Sequence, residues 1–173
     1  MATSKKKPSV NNARESVRWY TRIIKNLNMK EIRKEGIGDV VSGPHMGKMC
    51  CFYYDPKLKR ELPYYDRFPL VIPLDPKPDG FLGLNLHYLP PAARQVLFEQ
   101  LFAVRARRDL TQENQILMTY AVLKHTTKFP GWKDCIKRYL ANHYRSKIIE
   151  IDPMSWKLCV ALPTSQFQKG SPY

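Results

Sequence analysis

Apolar residues follow two regimes along this chain. Between Gly47 and Pro91 they come in short runs broken by turn chemistry, and outside that stretch they recur at helical spacing. Met49–Tyr54 (MCCFYY) ends at Asp55-Pro56, a turn starter. Phe68–Leu74 (FPLVIPL) is the second run, and Phe81–Leu89 (FLGLNLHYL) the third, entered through Asp79-Gly80. An Asp-Gly pair between apolar runs predicts a hairpin turn, because glycine takes positive φ without steric cost. The three runs are therefore expected to form one antiparallel sheet. Alternation in the third run places Leu82, Leu84, Leu86 and Tyr88 on the core face, opposite Phe81, Gly83, Asn85, His87 and Leu89. Pro69 and Pro73 lack the ladder N–H, which gives the middle run an edge, bulge or barrel-corner character.

The flanks read as helices. Val17, Tyr20, Ile23, Ile24 and Leu27 predict a helix from Ala13 to about Leu27, capped by Asn11 or Asn12. Pro91 suits the first turn of a helix over Ala92–Val104, with Val96, Leu97, Leu101 and Val104 on one side. A further helix is expected over about 112–127, capped by Thr111 or Asp109. It carries Ile116, Leu117, Tyr120, Ala121 and Leu123. A short basic helix over 132–144 has Trp132, Ile136, Tyr139 and Leu140 inward. Lys147–Ile151 reads as a strand that returns to close the sheet, and Met154–Leu162 as one helical turn or a strand. Residues 1–12 form a basic arm, 13–163 a single domain and 164–173 a mobile C-terminal tail. The predicted fold is α+β: a small SH3-like antiparallel β-barrel with an N-terminal helix and a helical insertion before the last strand.

Charge changes this picture. The 173 residues carry 29 Lys+Arg against 15 Asp+Glu, a net charge of +14. Such a field favours a polyanion or an acidic protein surface. It is concentrated at the start, where Lys5, Lys6 and Lys7 precede Arg14, Arg18 and Arg22, three arginines recurring every fourth residue. These six are the candidate polyanion or partner contacts. A solvated charged helix face accounts for the arginines alone, and the adjoining basic arm favours a binding role. No apolar run is long enough to span a bilayer, and no membrane partner is expected. The four cysteines (Cys50, Cys51, Cys135, Cys159) show no CxxC spacing and read as reduced, buried thiols. Cys50 and Cys51, being neighbours in a strand, should point to opposite faces.

Catalytic chemistry is not indicated. His45, His87, His125 and His143 are scattered, with no Cys/His ligand spacing, so neither metal nor cofactor is expected. Asp55, Asp75 and Asp79 stand where turns want aspartate, and Asp66 has the least obvious turn role. Lys57–Arg67 (KLKRELPYYDR) is the most chemically distinctive loop. Tyrosines interleaved with lysine and arginine suit backbone-plus-stacking contact with nucleic acid, although the same rings can pack on a sheet.

The block YYDPKLKRELPYYDRFPLVIPL with GFLGLNLHYLPP resembles small virion proteins of contractile-tailed bacteriophages, described as DNA end protectors or as neck or tail components. The resemblance spans Gly47–Pro91 and rests most on Leu62–Pro69 and Gly80–Pro90. It implies a non-enzymatic structural protein of a phage particle, in the neck, tail or baseplate region. Multiple copies in a symmetric assembly are expected, with other virion proteins and double-stranded DNA as partners. Two alternatives belong to other classes. One is a free nucleic-acid-binding protein of phage DNA replication or packaging, and the other a metal-dependent nuclease. Presence in purified particles separates the first from the expected reading, and Mg²⁺-dependent cleavage of DNA would mark the second.

Overall fold

The computed structural model describes residues 10–25, 38–62, 64–126, 128, 131–162 and 168–170. The arm with Lys5, Lys6 and Lys7 lies outside the described residues. The fold is α+β, as expected. Its helices are α1 (Val10–Lys25), α2 (Pro91–Ala106) and α3 (Gln112–Thr126). Its strands are β1 (Gly38–Val41), β2 (Cys50–Cys51), β3 (Tyr64–Asp66), β4 (Leu70–Lys77), β5 (Gly80–Asn85), β6 (Ile136–Leu140), β7 (Ile148–Ile151) and β8 (Gln168–Gly170).

Six strands form an antiparallel sheet in the order β1-β7-β2-β4-β5-β6. The hairpin read from the sequence is present: β4 pairs with β5 from Val71↔Asn85 to Lys77↔Gly80. Its two-residue turn is Pro78-Asp79, one position earlier than expected, and Gly80 opens β5. Proline fixes its own φ, and no non-glycine residue among the described residues has positive φ, so the conformational demand falls on Gly80 at φ +158°. Pro73 marks a bulge, with the register shifting between Pro73 and Asp75. β4 is nonetheless a central strand. It tolerates Pro73 because β2 is only two residues long and ends opposite Val71. Beyond that point a loop takes over, with Gly47 N donating to Pro73 O at 2.8 Å.

The SH3-like barrel is not formed. β7 returns to the sheet but inserts between β1 and β2, leaving β1 and β6 as the outer strands of an open sheet. The basic helix expected over 132–144 is also corrected. Its centre is β6, paired with β5 from Gly80↔Leu140 to Leu84↔Ile136. Trp132, Ile136, Tyr139 and Leu140 fit a helical period. An open β5 flank offers a full ladder of hydrogen bonds and a buried place for Tyr139, and that tertiary gain overrides the local pattern. Gln168–Gly170, read as part of a tail, pairs with β3 as β8. Met154–Leu162 is mostly a 3-10 helix, Pro153–Cys159, capped by Asp152 through Met154 N.

α1 begins at Val10, so Asn11 and Asn12 lie inside it and do not cap it. Trp19, Tyr20 and Ile23 are buried. Pro91 starts α2, and Arg94 in its first turn is wholly buried. Its guanidinium donates to Leu89 O, Cys159 O and Val160 O, tying the end of the strand core to the 3-10 helix. Burial pulls its pKa down to about 10. Val96, placed by its spacing on one side with Leu97, Leu101 and Val104, and the α3 residues Ile116 and Leu117 are more than half exposed. Thr111 caps α3 through Asn114 N at 3.3 Å.

Both faces of the sheet are buried. Cys51, Leu70, Ile72, Leu84 and Ile149 pack under the helices with Tyr20, Leu97, Leu101 and Trp156. Cys50, Phe52, Tyr54, Val71, Phe81, Tyr139 and Ile148 form a second, aromatic cluster. Cys50 and Cys51 thus point to opposite faces, as alternation requires. Leu84 and Leu86 are core residues as expected, whereas Leu82 and Tyr88 are half-buried and Phe81, Asn85 and His87 are buried as well. All four cysteines are free and buried.

Candidate nucleic-acid interface

The aromatic cluster runs out toward one side of the sheet, where the loop after Tyr54 arches over β5 and β6. Phe81 stacks on Tyr139 at 5.2 Å, and Tyr54 meets Tyr139 edge-on at 5.1 Å. Beside them is a cavity of about 330 Å³. Tyr54, Tyr65, Tyr88 and Tyr139 line it with Leu58, Leu62 and Leu140, and Lys57, Lys137 and Arg138 are its cationic lining residues. Lys57 and Arg138 are exposed, and the Lys137 ammonium lies 4.5 Å from the centre of the Tyr88 ring.

A polar network holds this wall in place. Asp66 is buried and accepts hydrogen bonds from Phe68 N (3.0 Å), Asn85 Nδ2 (3.1 Å) and His87 Nδ1 (2.6 Å). Asn85 Nδ2 also donates to the Tyr139 hydroxyl at 3.0 Å, and Asn85 Oδ1 accepts from His87 N. The aspartate with the least obvious turn role is therefore a structural hub, with both oxygens engaged. α1 docks onto the same hub. The Tyr20 hydroxyl donates to Phe68 O, and the Tyr20 ring meets His87 edge-on at 4.7 Å.

The other turn aspartates are also engaged. Asp55 pairs with Lys59 at 2.7 Å, Asp75 with Lys77 at 2.8 Å, and Asp79 with Arg138. Hydrogen bonds from Lys59 and Arg138 hold the Asp55 and Asp79 carboxyls below the usual carboxylate range. Among the described residues, no three His, Cys, Asp or Glu side chains converge in a way that would hold a metal ion. Burial raises the Tyr54, Tyr88 and Tyr139 phenols, which stay protonated at neutral pH.

Arg14, Arg18 and Arg22 form an exposed stripe on α1, as their spacing predicts. None of the three lines the cavity. The structure therefore presents two basic features, an arginine helix and a tyrosine-lined cavity, joined through Tyr20 and the Asp66 hub. Sequence reasoning missed Tyr54, Tyr65, Tyr88, Tyr139, Lys57, Lys137 and Arg138 as a set. The interleaved tyrosine and cation pattern of Lys57–Arg67 was the available signal for part of it.

Cation, hydroxyl and aromatic face together are the chemistry of a surface for a polyanion that carries flat rings. The family model for the phage T4 terminal DNA protecting protein matches residues 2–173, and the chain belongs to that family. The match extends to nearly the whole sequence the resemblance carried by Gly47–Pro91, and it makes this a phage DNA-protecting protein by family. No curated protein and no solved structure matches the chain. No described helix is long and apolar enough to cross a membrane.

Proposed function

We infer that the protein is a non-enzymatic component of a tailed-phage particle that binds the ends of the packaged DNA and shields them. The observation that carries this reading is the tyrosine-lined cavity with Lys57, Lys137 and Arg138 along it, in a chain of net charge +14 belonging to a terminal-DNA-protecting family. Lysine and arginine supply the sequence-independent phosphate contacts that dominate affinity. Lys5, Lys6, Lys7, Arg14, Arg18 and Arg22 extend those contacts along the duplex, and other virion proteins in the neck, tail or baseplate region hold the protein in several copies. The engaged state of Asp55, Asp66, Asp75 and Asp79 favours a binding role over a nuclease role, since each already has a structural partner.

The test is protection of linear duplex DNA. Purified protein should slow digestion by exonucleases of both polarities, and an excess of unlabelled linear DNA should compete where the same mass of circular DNA does not. Equal competition by circles would remove the end-binding reading. Mass-spectrometric inventories of full heads and isolated tails should contain the protein in stoichiometric amount; its absence from particles would make it a free DNA-binding protein instead.

A further inference from the structure

Protection of an end requires some feature that distinguishes it from the body of a duplex. Phosphates do not, because they are the same along the whole strand. We propose that the cavity beside β6 takes a single unpaired nucleobase at the DNA terminus, which deepens the end-binding reading and rests on it.

Three observations converge. The volume, about 330 Å³, is at the small end of the range of specific ligand sites and suits one base with its sugar. Tyr65 and Tyr88 line the cavity and are half-buried, so that a base can stack on Tyr65 or on the Tyr88 face away from Lys137, whose ammonium over the other face can meet the nucleotide's phosphate. The deeper tyrosines carry directional donors. The Tyr139 hydroxyl accepts from Asn85 Nδ2 and the Tyr54 hydroxyl from Leu140 N at 3.0 Å, so each keeps its own proton to donate. Both residues are at most 5% exposed and line the cavity. Two hydroxyl donors on side chains that line an apolar cavity match a base edge with carbonyl or ring-nitrogen acceptors, which all four bases have. The site therefore reads that a base is unpaired rather than which base it is. Inside a duplex, a base must first be unpaired and unstacked to enter. At an overhang or a frayed terminus that cost is smallest.

The experiment uses the full chain and DNA hairpins with one open end. 2-Aminopurine is placed either as a single unpaired terminal nucleotide, on the 3′ or the 5′ side, or at a paired interior position. Stacking on tyrosine should change the emission of a terminal probe and leave the interior probe unchanged. A one-nucleotide overhang should bind at least about 5-fold more tightly than a blunt end, the low end of what one stacked base contributes. Leu58→Trp fills the cavity from a half-exposed position, and Tyr88→Ala removes one stacking face. Each should abolish both effects, and Leu58→Trp should do so with an unchanged melting temperature. A silent terminal probe with equal affinity for overhang and blunt ends would overturn the cavity assignment while leaving end binding intact. Equal affinity for a dumbbell with no ends would overturn end binding itself, and the cavity assignment with it.

Discussion

Gly80 is the residue whose replacement the structure prices most directly. It opens β5 at φ +158°, a conformation that residues with a side chain rarely adopt. A Cβ built there would lie 1.8 Å from Tyr139 O, 2.9 Å from Tyr139 C and 3.1 Å from Leu140 Cα. All three are backbone atoms of β6, so no side chain can swing away, and the strand itself must retreat. Backbone strain of this kind costs about 1–3 kcal/mol. Overpacking a fitted site costs a further ~1–3 kcal/mol. Gly80→Ala should therefore destabilise by roughly 2–6 kcal/mol, a large share of the ~5–15 kcal/mol that holds an ordinary domain together. At this chain length that corresponds to a melting temperature lower by roughly 5–20 °C. Urea unfolding with linear extrapolation measures it. Gly43→Ala is the control, since nothing lies within 4 Å of a Cβ there, and should stay within about 0.5 kcal/mol of the parent. A Gly80→Ala protein as stable as the control would mean that β6 does not approach β5 as described. The cavity wall built on Tyr139 would then fall with it.

Other consequences follow from the same contacts. Asp66→Ala leaves Phe68 N, Asn85 Nδ2 and His87 Nδ1 without their buried acceptor and should cost about 3–5 kcal/mol in chemical unfolding, whereas an exposed aspartate such as Asp109 should cost little. Burial pushes the Cys51 thiol up to about 12, so at pH 8 only about one molecule in 10⁴ carries its thiolate, and the native protein should react far more slowly with a disulfide reagent than the unfolded chain. Because that pKa lies above the ordinary thiol value, the folded state keeps a proton that the unfolded state releases. The associated stability is complete below about pH 8.5 and declines as pH rises toward about 12, which denaturant midpoints across that window will show. If all six cations of the arm and α1 reach phosphates, log affinity should fall against log salt with a slope of about −5, and deleting residues 1–12 should flatten it by up to about 3; an unchanged slope would leave the arm without a DNA role.

Local chemistry made part of this molecule legible. The β4–β5 hairpin, the opposite faces of Cys50 and Cys51, Pro91 at the start of α2 and the arginine stripe each depend on residues close together in the chain. The open sheet and the cavity do not. β6 lies more than fifty residues from the strand it pairs with, and Ile136, Tyr139 and Leu140 satisfy a helical period as readily as a strand. The loop after Tyr54, the turn after β5 and β6 meet only when the sheet assembles, so four tyrosines that look like independent core residues become one surface. Asp66 shows the same limit. Its turn role, capping Phe68 N, is local, whereas its bonds to Asn85 and His87 are visible only in three dimensions.

The open sheet has a consequence for how the protein behaves at high local concentration. An outer strand is a template on which another chain can add, and unguarded outer strands lead to aggregation. β1 is only four residues long. β6 carries Lys137 and Arg138 in its centre, so two copies meeting strand to strand would bring like charges together. The cations that line the cavity thus also oppose strand-to-strand pairing between copies. A variant that neutralised both would lose more than phosphate contacts: it should form strand-paired multimers that the parent does not.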